Sequence, residues 1–266
     1  MPKPECGLIL GLDHTTQVVA DLPAAVARYT TLFNQPPAAE GSTAALAWAQ
    51  FVLANTALVL VQPQGTADAL AQHLAATTAP ALGAAAFSVA EPEHVARLLE
   101  RRGLPSLGPA LPWLDRPATL LAPEAARGLA LLLLPPAAAG HASATRLDHL
   151  VIRSANPERS IALLAGRLGL ELRLDRSNPA WGNRLLFFRC GDLVVEVSHA
   201  LAEGISDAPD SLWGLTWGVA DVAAQHARLA ATGLAVSPLR QGRKPGTRLF
   251  TLREHAHFPP TAFIGS

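Results

Sequence analysis

The fold is decided by the stretch at residues 146–199, RLDHLVIRSANPERSIALLAGRLGLELRLDRSNPAWGNRLLFFRCGDLVVEVSH. Its hydrophobic pattern predicts a strand, a helix and three further strands. Alternation places His149 on one face of the first strand and Glu196 on one face of the last, while the opposite faces are apolar. Because packing does not require either polar residue, both side chains are candidates to face one cavity that holds a metal or a polar ligand.

The same plan recurs along the chain. LDHTTQVVADLPAAVARY in the first half matches LDHLVIRSANPERSIALL, which places His14 and His149 135 positions apart. VAEPEHVARLLERRGL at 89–104 matches VADVAAQHARLAATGL at 219–234 without a gap. A repeat of this kind predicts an α+β fold of four βαβββ modules, forming two curved mixed or antiparallel sheets with helices outside.

The repeats divide the chain into an N-terminal half at 1–136, in which the site is degenerate, and a C-terminal half at 145–266, which carries the candidate site. The segment Pro135–Gly140, PPAAAG, has the composition of a linker between them. Before the last strands of the second module, LPWLDRP is predicted to be a loop.

Composition narrows the functional classes. Lys+Arg and Asp+Glu both number 21, so the net charge is about zero, which argues against a nucleic-acid partner. Two cysteines make no disulfide framework and suit a reducing compartment. The start resembles no signal peptide, and the run Leu129–Leu134 is too short to span a bilayer. We therefore expect a cytoplasmic monomer or homodimer that has no membrane partner and binds a small molecule.

Four βαβββ units, with histidine early in a first strand and glutamate in a last strand, resemble the vicinal oxygen chelate superfamily. This group includes glyoxalase I, bleomycin-resistance proteins and extradiol ring-cleavage dioxygenases. The resemblance covers nearly the whole chain and is strongest at 146–264, where NPAWGNRLLFF and GDLVVEV are similar to glyoxalase-like members. It implies a sheet-lined cup with a divalent metal (Zn, Mn, Ni or Fe), which substrates chelate through two neighbouring oxygens.

The resemblance implies metal ligands at His149, His14 and Glu196, with Glu196 also a catalytic proton shuttle. A catalytic metal usually takes three protein ligands. If adjacent modules pair, the second half offers only His149 and Glu196; all three ligands meet only if the first and third modules share a cup. The other modules offer no ligand at the matching positions, which are Leu60, Ala84 and Gly214.

Further ligand-binding candidates are Ser198, beside Glu196, and Thr216, on the predicted cup side of the fourth module. Small residues there and in the second module, including Ala84 and Gly214, are expected to leave room for a ligand. Trp181 is interpreted either as a pocket lid or as a cover of the core. By parity, Trp213 and Trp217 belong to the core. The basic cluster at 240–248 either steers an anionic substrate or forms a solvated hairpin.

Two functions compete. The first is a glyoxalase-like lyase, isomerase or dioxygenase that binds a small oxygen-rich molecule and uses the metal as a Lewis acid. The second is a metal-free protein that sequesters its ligand, as expected from the resemblance to bleomycin-resistance proteins. Metal content after purification would separate the two.

Overall fold

The computed structural model describes residues 7–137 and 143–266, so the predicted linker lies partly outside the described residues, at 138–140. Each module contains one strand, a helix and three strands. The first module consists of β1 (Gly11–Val18), α1 (Leu22–Phe33), β2 (Ala39–Ser42), β3 (Leu46–Val52) and β4 (Ala57–Pro63). After α2 (Ala69–Ala76), the second consists of β5 (Ala81–Ser88), α3 (Pro92–Arg101), β6 (Leu111–Trp113), β7 (Arg116–Leu120) and β8 (Ala130–Leu134).

The other half repeats this order. The third module consists of β9 (Arg146–Arg153), α4 (Pro157–Ile161), β10 (Glu171–Asn178), β11 (Asn183–Cys190) and β12 (Leu193–Ala200). The fourth consists of β13 (Ser211–Gly218), α5 (Val222–Ala231), β14 (Arg240–Gln241), β15 (Arg248–Thr251) and β16 (Thr261–Gly265). The predicted α+β fold of four βαβββ modules is confirmed. None of the helices in residues 7–137 and 143–266 is long and apolar enough to cross a bilayer.

The strands form two mixed sheets of eight strands each. One sheet has the order β2-β3-β4-β1-β5-β8-β7-β6, and the other has the equivalent order β10-β11-β12-β9-β13-β16-β15-β14. In both sheets the first strands of two successive modules are neighbours. This arrangement places the strands with His149 and Glu196, β9 and β12, side by side.

The helices begin where capping residues predict. Asp21, Asn156 and Asp221 each accept a hydrogen bond from a backbone N–H in the first turn of the helix that follows. A side chain that satisfies an otherwise unpaired N–H at a helix start stabilises the helix by about 1 kcal/mol. These caps fix the point at which the chain leaves the first strand in three modules.

A hydrogen bond at the end of each first strand aligns the four modules. The backbone N–H groups of Val19, Val89, Ser154 and Val219 donate to the carbonyl oxygens of Val61, Leu134, Ser198 and Ile264, at 2.8 to 3.1 Å. Two residues before these acceptors lie Val59, Leu132, Glu196 and Ala262. The residue equivalent to Glu196 in the first module is therefore Val59, and the predicted equivalence with Leu60 is wrong by one position. Unequal hairpins between the second and fourth strands cause the offset.

The prediction that LPWLDRP is a loop is also wrong. β6 and β7 form an antiparallel hairpin in which Trp113 lies opposite Arg116. The two turn residues, Leu114 and Asp115, have φ angles of 47° and 59°. This left-handed pair is typical of a type I′ turn, which usually contains Asn-Gly or Asp-Gly. Leu-Asp gives no such signal, which explains why the sequence pattern missed the hairpin.

Spatial contacts divide the described chain into two compact units. One unit contains 7–14, 84–137 and 151–212, and its polar interior includes Ser154, Ser160 and Asp210, with Ser160 Oγ donating to Asp210 Oδ2 at 3.1 Å. The other contains 15–83, 143–150 and 213–266. Its core is aromatic: the rings of Tyr29 and Phe258 lie 5.0 Å apart.

Candidate functional site

His149 lies on β9, and its ring contacts the carboxylate of the preceding residue, Asp148. Its Nδ1 is 2.6 Å from Oδ2 of Asp148, and the side chains are 20% and 37% exposed. The hydrogen bond from His149 is the main cause that lowers the pKa of Asp148; burial opposes it, and the positive charges of His149, Arg146 and Lys244 add to it. With Nδ1 directed to Asp148, Nε2 is the nitrogen through which His149 would contact a ligand.

Glu196 and Ser198 lie on β12, where alternation is regular. Both side chains are half-buried, whereas Val195 and Val197 between and beside them are fully buried. The Ser198 carbonyl accepts the hydrogen bond from Ser154 that ends the first strand. The strand therefore has the predicted polar side. That His149 and Glu196 point into a common pocket stays a prediction.

The remaining candidates lie on two other elements. Thr216 is half-buried on β13. Trp181 belongs to a short 3₁₀ helix at Pro179–Trp181, and the guanidinium of Arg176 lies 4.7 Å from its ring centroid. This cation–π contact gives Trp181 a defined position on the protein surface. Its predicted role as a pocket lid stays a prediction.

His14, like His149, contacts the aspartate that precedes it in the sequence, but the surroundings of the two histidines differ. Its Nδ1 is 2.6 Å from Oδ1 of Asp13, and its side chain is 0% exposed. Trp113 Nε1 donates a hydrogen bond to His14 Nε2 at 2.8 Å. Because Trp Nε1–H is only a donor, Nε2 must be the accepting nitrogen and Nδ1 carries the proton donated to Asp13. Both ring nitrogens are thus engaged within the protein.

Asp13 is held from its other side by Arg116. The guanidinium binds both carboxylate oxygens, with Nη1 2.7 Å from Oδ2 and Nη2 2.6 Å from Oδ1. Burial by itself raises the pKa of Asp13, but the hydrogen bonds from Arg116 and His14, with the positive charge of Arg116, outweigh it and lower the pKa. A bidentate charged pair of this kind fixes geometry as well as charge.

The described residues contain no cluster of side chains that matches the predicted set of metal ligands. Within residues 7–137 and 143–266, no group of three or more His, Cys, Asp or Glu side chains could hold a metal ion. That His14, His149 and Glu196 bind one ion stays a prediction. His14 Nε2 would also have to give up the Trp113 hydrogen bond to bind a metal.

The small residues of the fourth module do not leave the expected space. A Cβ at Gly214 would lie 2.6 Å from the carbonyl oxygen of Pro260, and one at Gly218 would lie 3.0 Å from Cγ of Arg146. Ala84, in the second module, is fully buried. Close packing therefore explains these residues. Trp217 is buried as predicted, but Trp213 is 42% exposed and does not belong to the core.

Sequence reasoning missed four residues of these clusters. Asp148 and Asp13 are the middle residues of both Leu-Asp-His triplets, so their repetition was a usable signal. Arg116 and Trp113 lie in the segment predicted to be a loop, and no local pattern connects them to His14. The basic segment at 240–248, in contrast, is the exposed hairpin β14–β15 that one of its two interpretations predicts.

A family model described as Glyoxalase/Bleomycin resistance protein/Dioxygenase superfamily matches residues 148–250. This match and the fold confirm the predicted resemblance to the vicinal oxygen chelate superfamily. A comparison with curated protein sequences finds no match.

Solved structures with related folds span nearly the whole chain. A mutant of 4-hydroxymandelate synthase from Streptomyces coelicolor is 12% identical with a TM-score of 0.74, and the match covers 97% of this chain and 92% of that one. A halotolerant catechol dioxygenase is 11% identical with a TM-score of 0.69, covering 97% and 87%. A fusion of a xylose isomerase-like TIM barrel with 4-hydroxyphenylpyruvate dioxygenase is 15% identical with a TM-score of 0.66, covering 97% and 49%. At these identities the likeness concerns the fold.

Proposed function

We propose that the second half binds a small oxygen-rich molecule beside the Asp148–His149 pair, in the sheet-lined cup predicted from the sequence. The observation that carries this proposal is the exposure of the pair: the His149 side chain is 20% exposed, whereas that of the duplicated His14 is 0% exposed. A ligand with carbonyl, carboxylate or hydroxyl oxygens matches an imidazole nitrogen and the half-buried polar side of β12.

The same pair is suited to moving a proton. Asp148 accepts from Nδ1, which fixes the tautomer and strengthens Nε2 as a base, as a carboxylate does in other Asp–His pairs. Glu196 is the second candidate for proton transfer. We therefore favour an isomerase- or lyase-type proton transfer that requires no metal, or retention of the ligand without reaction if the bound molecule has no acidic C–H or O–H.

A metal-dependent lyase, isomerase or dioxygenase is the second candidate. The likeness of the fold to a 4-hydroxymandelate synthase and a catechol dioxygenase favours it. The donor set does not, since the described residues contain no three-ligand cluster.

The test uses the whole chain, with oxalate, pyruvate and catechol as oxygen-rich probes. Binding is measured by isothermal titration calorimetry, and metal content by mass spectrometry of the purified protein. We expect His149→Ala to weaken binding of at least one probe by about tenfold, equal to about 1.4 kcal/mol. His255→Ala, at an exposed histidine in another segment, is the matched control. Equal binding by both variants would contradict the proposal, and about one metal per chain that is lost in His149→Ala would favour the metal enzyme.

A further inference from the structure

A cavity outside the predicted cup carries an unusual concentration of positive charge. It has a volume of about 310 Å³ and lies within one compact unit, the one that contains 84–137 and 151–212. Three arginines line it, Arg127, Arg159 and Arg167, together with one acidic residue, Glu124. Three positive side chains around one negative side chain leave the cavity walls with a net positive charge.

Two of these arginines donate hydrogen bonds to backbone carbonyls, although the charge of Arg127 also acts on the buried carboxyl group of Asp210. Arg167 donates from Nη1 to the carbonyl oxygen of Ala125 at 3.0 Å, and Arg127 donates from Nη2 to the carbonyl oxygens of Asp207 and Ala208 at 3.4 and 3.3 Å. The partners are backbone carbonyls, so the positive charges remain. Arg159 forms an ion pair with Asp207, which offsets part of its charge; both side chains are largely exposed, at 46% and 79%, so an anion can compete with this pair at little energetic cost.

Arg127 also has an unsatisfied donor. Its Nε is buried and has no hydrogen-bond partner within the described residues. A buried donor without a partner is destabilising. The backbone of Arg127 has a φ of 63°, a left-handed conformation that is uncommon for a residue other than glycine. Strained backbone with an unsatisfied polar group is typical of positions selected for binding.

Part of the cavity lining is a π-helical segment, Ala162–Arg167, which follows α4. The Leu168 N–H donates to the Leu163 carbonyl at 3.0 Å, which is the five-residue spacing of a π-helix. π-Helical turns are rare and occur frequently at functional sites. Here the segment contributes Ala162, Leu163 and Arg167 to the cavity lining.

We propose that this cavity binds a small molecule through a phosphate group. Guanidinium groups from two segments, the turn at Arg127 and the continuous helical stretch that contains Arg159 and Arg167, can donate to a tetrahedral oxyanion, and arginine forks match phosphate oxygens closely. The volume is near the lower end of the range for small-molecule sites, which suits a compact phosphate ester. This site is independent of the function proposed for His149.

The test titrates the whole chain with inorganic phosphate, at a constant ionic strength set with NaCl, by calorimetry and thermal unfolding. Acetate serves as a monocarboxylate probe. We expect saturable phosphate binding that raises the unfolding temperature, and weaker acetate binding. Arg159→Gln and Arg167→Gln should each weaken phosphate binding by about tenfold. Arg159→Lys, which keeps the charge but loses the fork, should fall between the wild type and Arg159→Gln.

Two controls keep the outcome decisive. Arg173→Gln removes an exposed arginine, paired with Glu171, that does not line the cavity, and should bind phosphate like the wild type. His149→Ala should also bind phosphate normally, which separates this site from the predicted cup. Absence of saturable phosphate binding would overturn the proposal. Equal binding by Arg159→Gln, Arg167→Gln and Arg173→Gln would also overturn it, because the phosphate would then bind elsewhere.

Discussion

In the first half the Asp–His pair is sealed by Trp113 and Arg116, whereas the same pair in the second half is partly open to solvent. The Nδ1–carboxylate distance is 2.6 Å in both. His14 is 0% and Asp13 4% exposed, against 20% for His149 and 37% for Asp148. The duplicated triplet thus forms the same local contact in two environments, and the environment decides which groups remain accessible to a ligand.

The partners explain the difference. Trp113 and Arg116 come from the hairpin β6–β7 of the second module. In the corresponding hairpin of the fourth module, β14 and the turn residue Lys244 are exposed, and the charge of Lys244 acts on Asp148. A buried network that is fully satisfied rigidifies a core. We infer that the first pair supports the fold and that the second is kept for binding.

The largest expected loss of stability comes from introducing, in the first half, a carboxylate at the position equivalent to Glu196 of the second half. Val59, the residue equivalent to Glu196, is 0% exposed. Val59→Glu should lower the free energy of unfolding at pH 7 by about 4 kcal/mol. A buried glutamic acid stays neutral at this pH only if its pKa rises from about 4.3 to at least 7, and each pKa unit corresponds to about 1.36 kcal/mol. Urea denaturation measures the loss.

Val59→Gln is the matched control, because it has a similar size without an ionisable group. The raised pKa of the buried glutamic acid makes Val59→Glu less stable as the pH rises above about 4.3, whereas the control should show no added pH dependence. If Val59→Glu kept wild-type stability and bound a metal tightly, the first half would contain a functional metal site, and the distinction between the two halves would be wrong. We expect a similar loss for Leu60→Glu, at another fully buried position.

The next effect comes from removing the arginine that seals the first pair. Arg116→Ala leaves Asp13, which is 4% exposed, without its bidentate partner. Breaking a buried pair costs about 3–5 kcal/mol, and because Arg116 is 20% exposed we expect a loss of about 3 kcal/mol. Arg184→Ala, which breaks ion pairs with the more exposed Asp175 and Glu158, should cost about 1 kcal/mol or less. If Arg116→Ala and Arg184→Ala lost similar amounts of stability in chemical denaturation, the burial of the Asp13–Arg116 pair would have no energetic role.

A smaller difference separates the two histidines. His14→Ala removes the acceptor of Trp113 and a donor to Asp13, so we expect a loss of about 2 kcal/mol from buried polar groups left unpaired. His149→Ala, at a half-exposed position, should cost less than about 1 kcal/mol. The two variants are compared by urea denaturation under one condition. The reverse order would place the structural histidine in the second half.

Repetition made the fold predictable, because two gapless matches and a duplicated triplet define four modules more strongly than local propensity does. The site was less predictable. His149 and Glu196 could be selected since each interrupts an alternating strand, but Trp113 lies 99 residues from His14 and contacts it only after folding. The one-residue shift from Leu60 to Val59 depends on hairpin lengths that a sequence match does not fix.

The smallest expected effect is a change in the pKa of one carboxyl group, that of Asp148. The pKa of Asp148 is lowered chiefly by the hydrogen bond from His149. His149→Ala should therefore raise the pKa of Asp148 toward its ordinary value, measured by NMR titration of the carboxyl carbon. In the wild type the lowered pKa contributes stability that is present above the unfolded pKa, about 3.9, and is lost as the pH falls through the folded pKa. The variant should lose this acid dependence, while Asp13, still bound by His14 and Arg116, should titrate as before.

An unchanged Asp148 pKa in His149→Ala would show that Arg146 and Lys244, not His149, hold the carboxylate in its charged form. Asp148 could then not be the group that orients His149, and the proton-transfer role proposed for the pair would lose its basis.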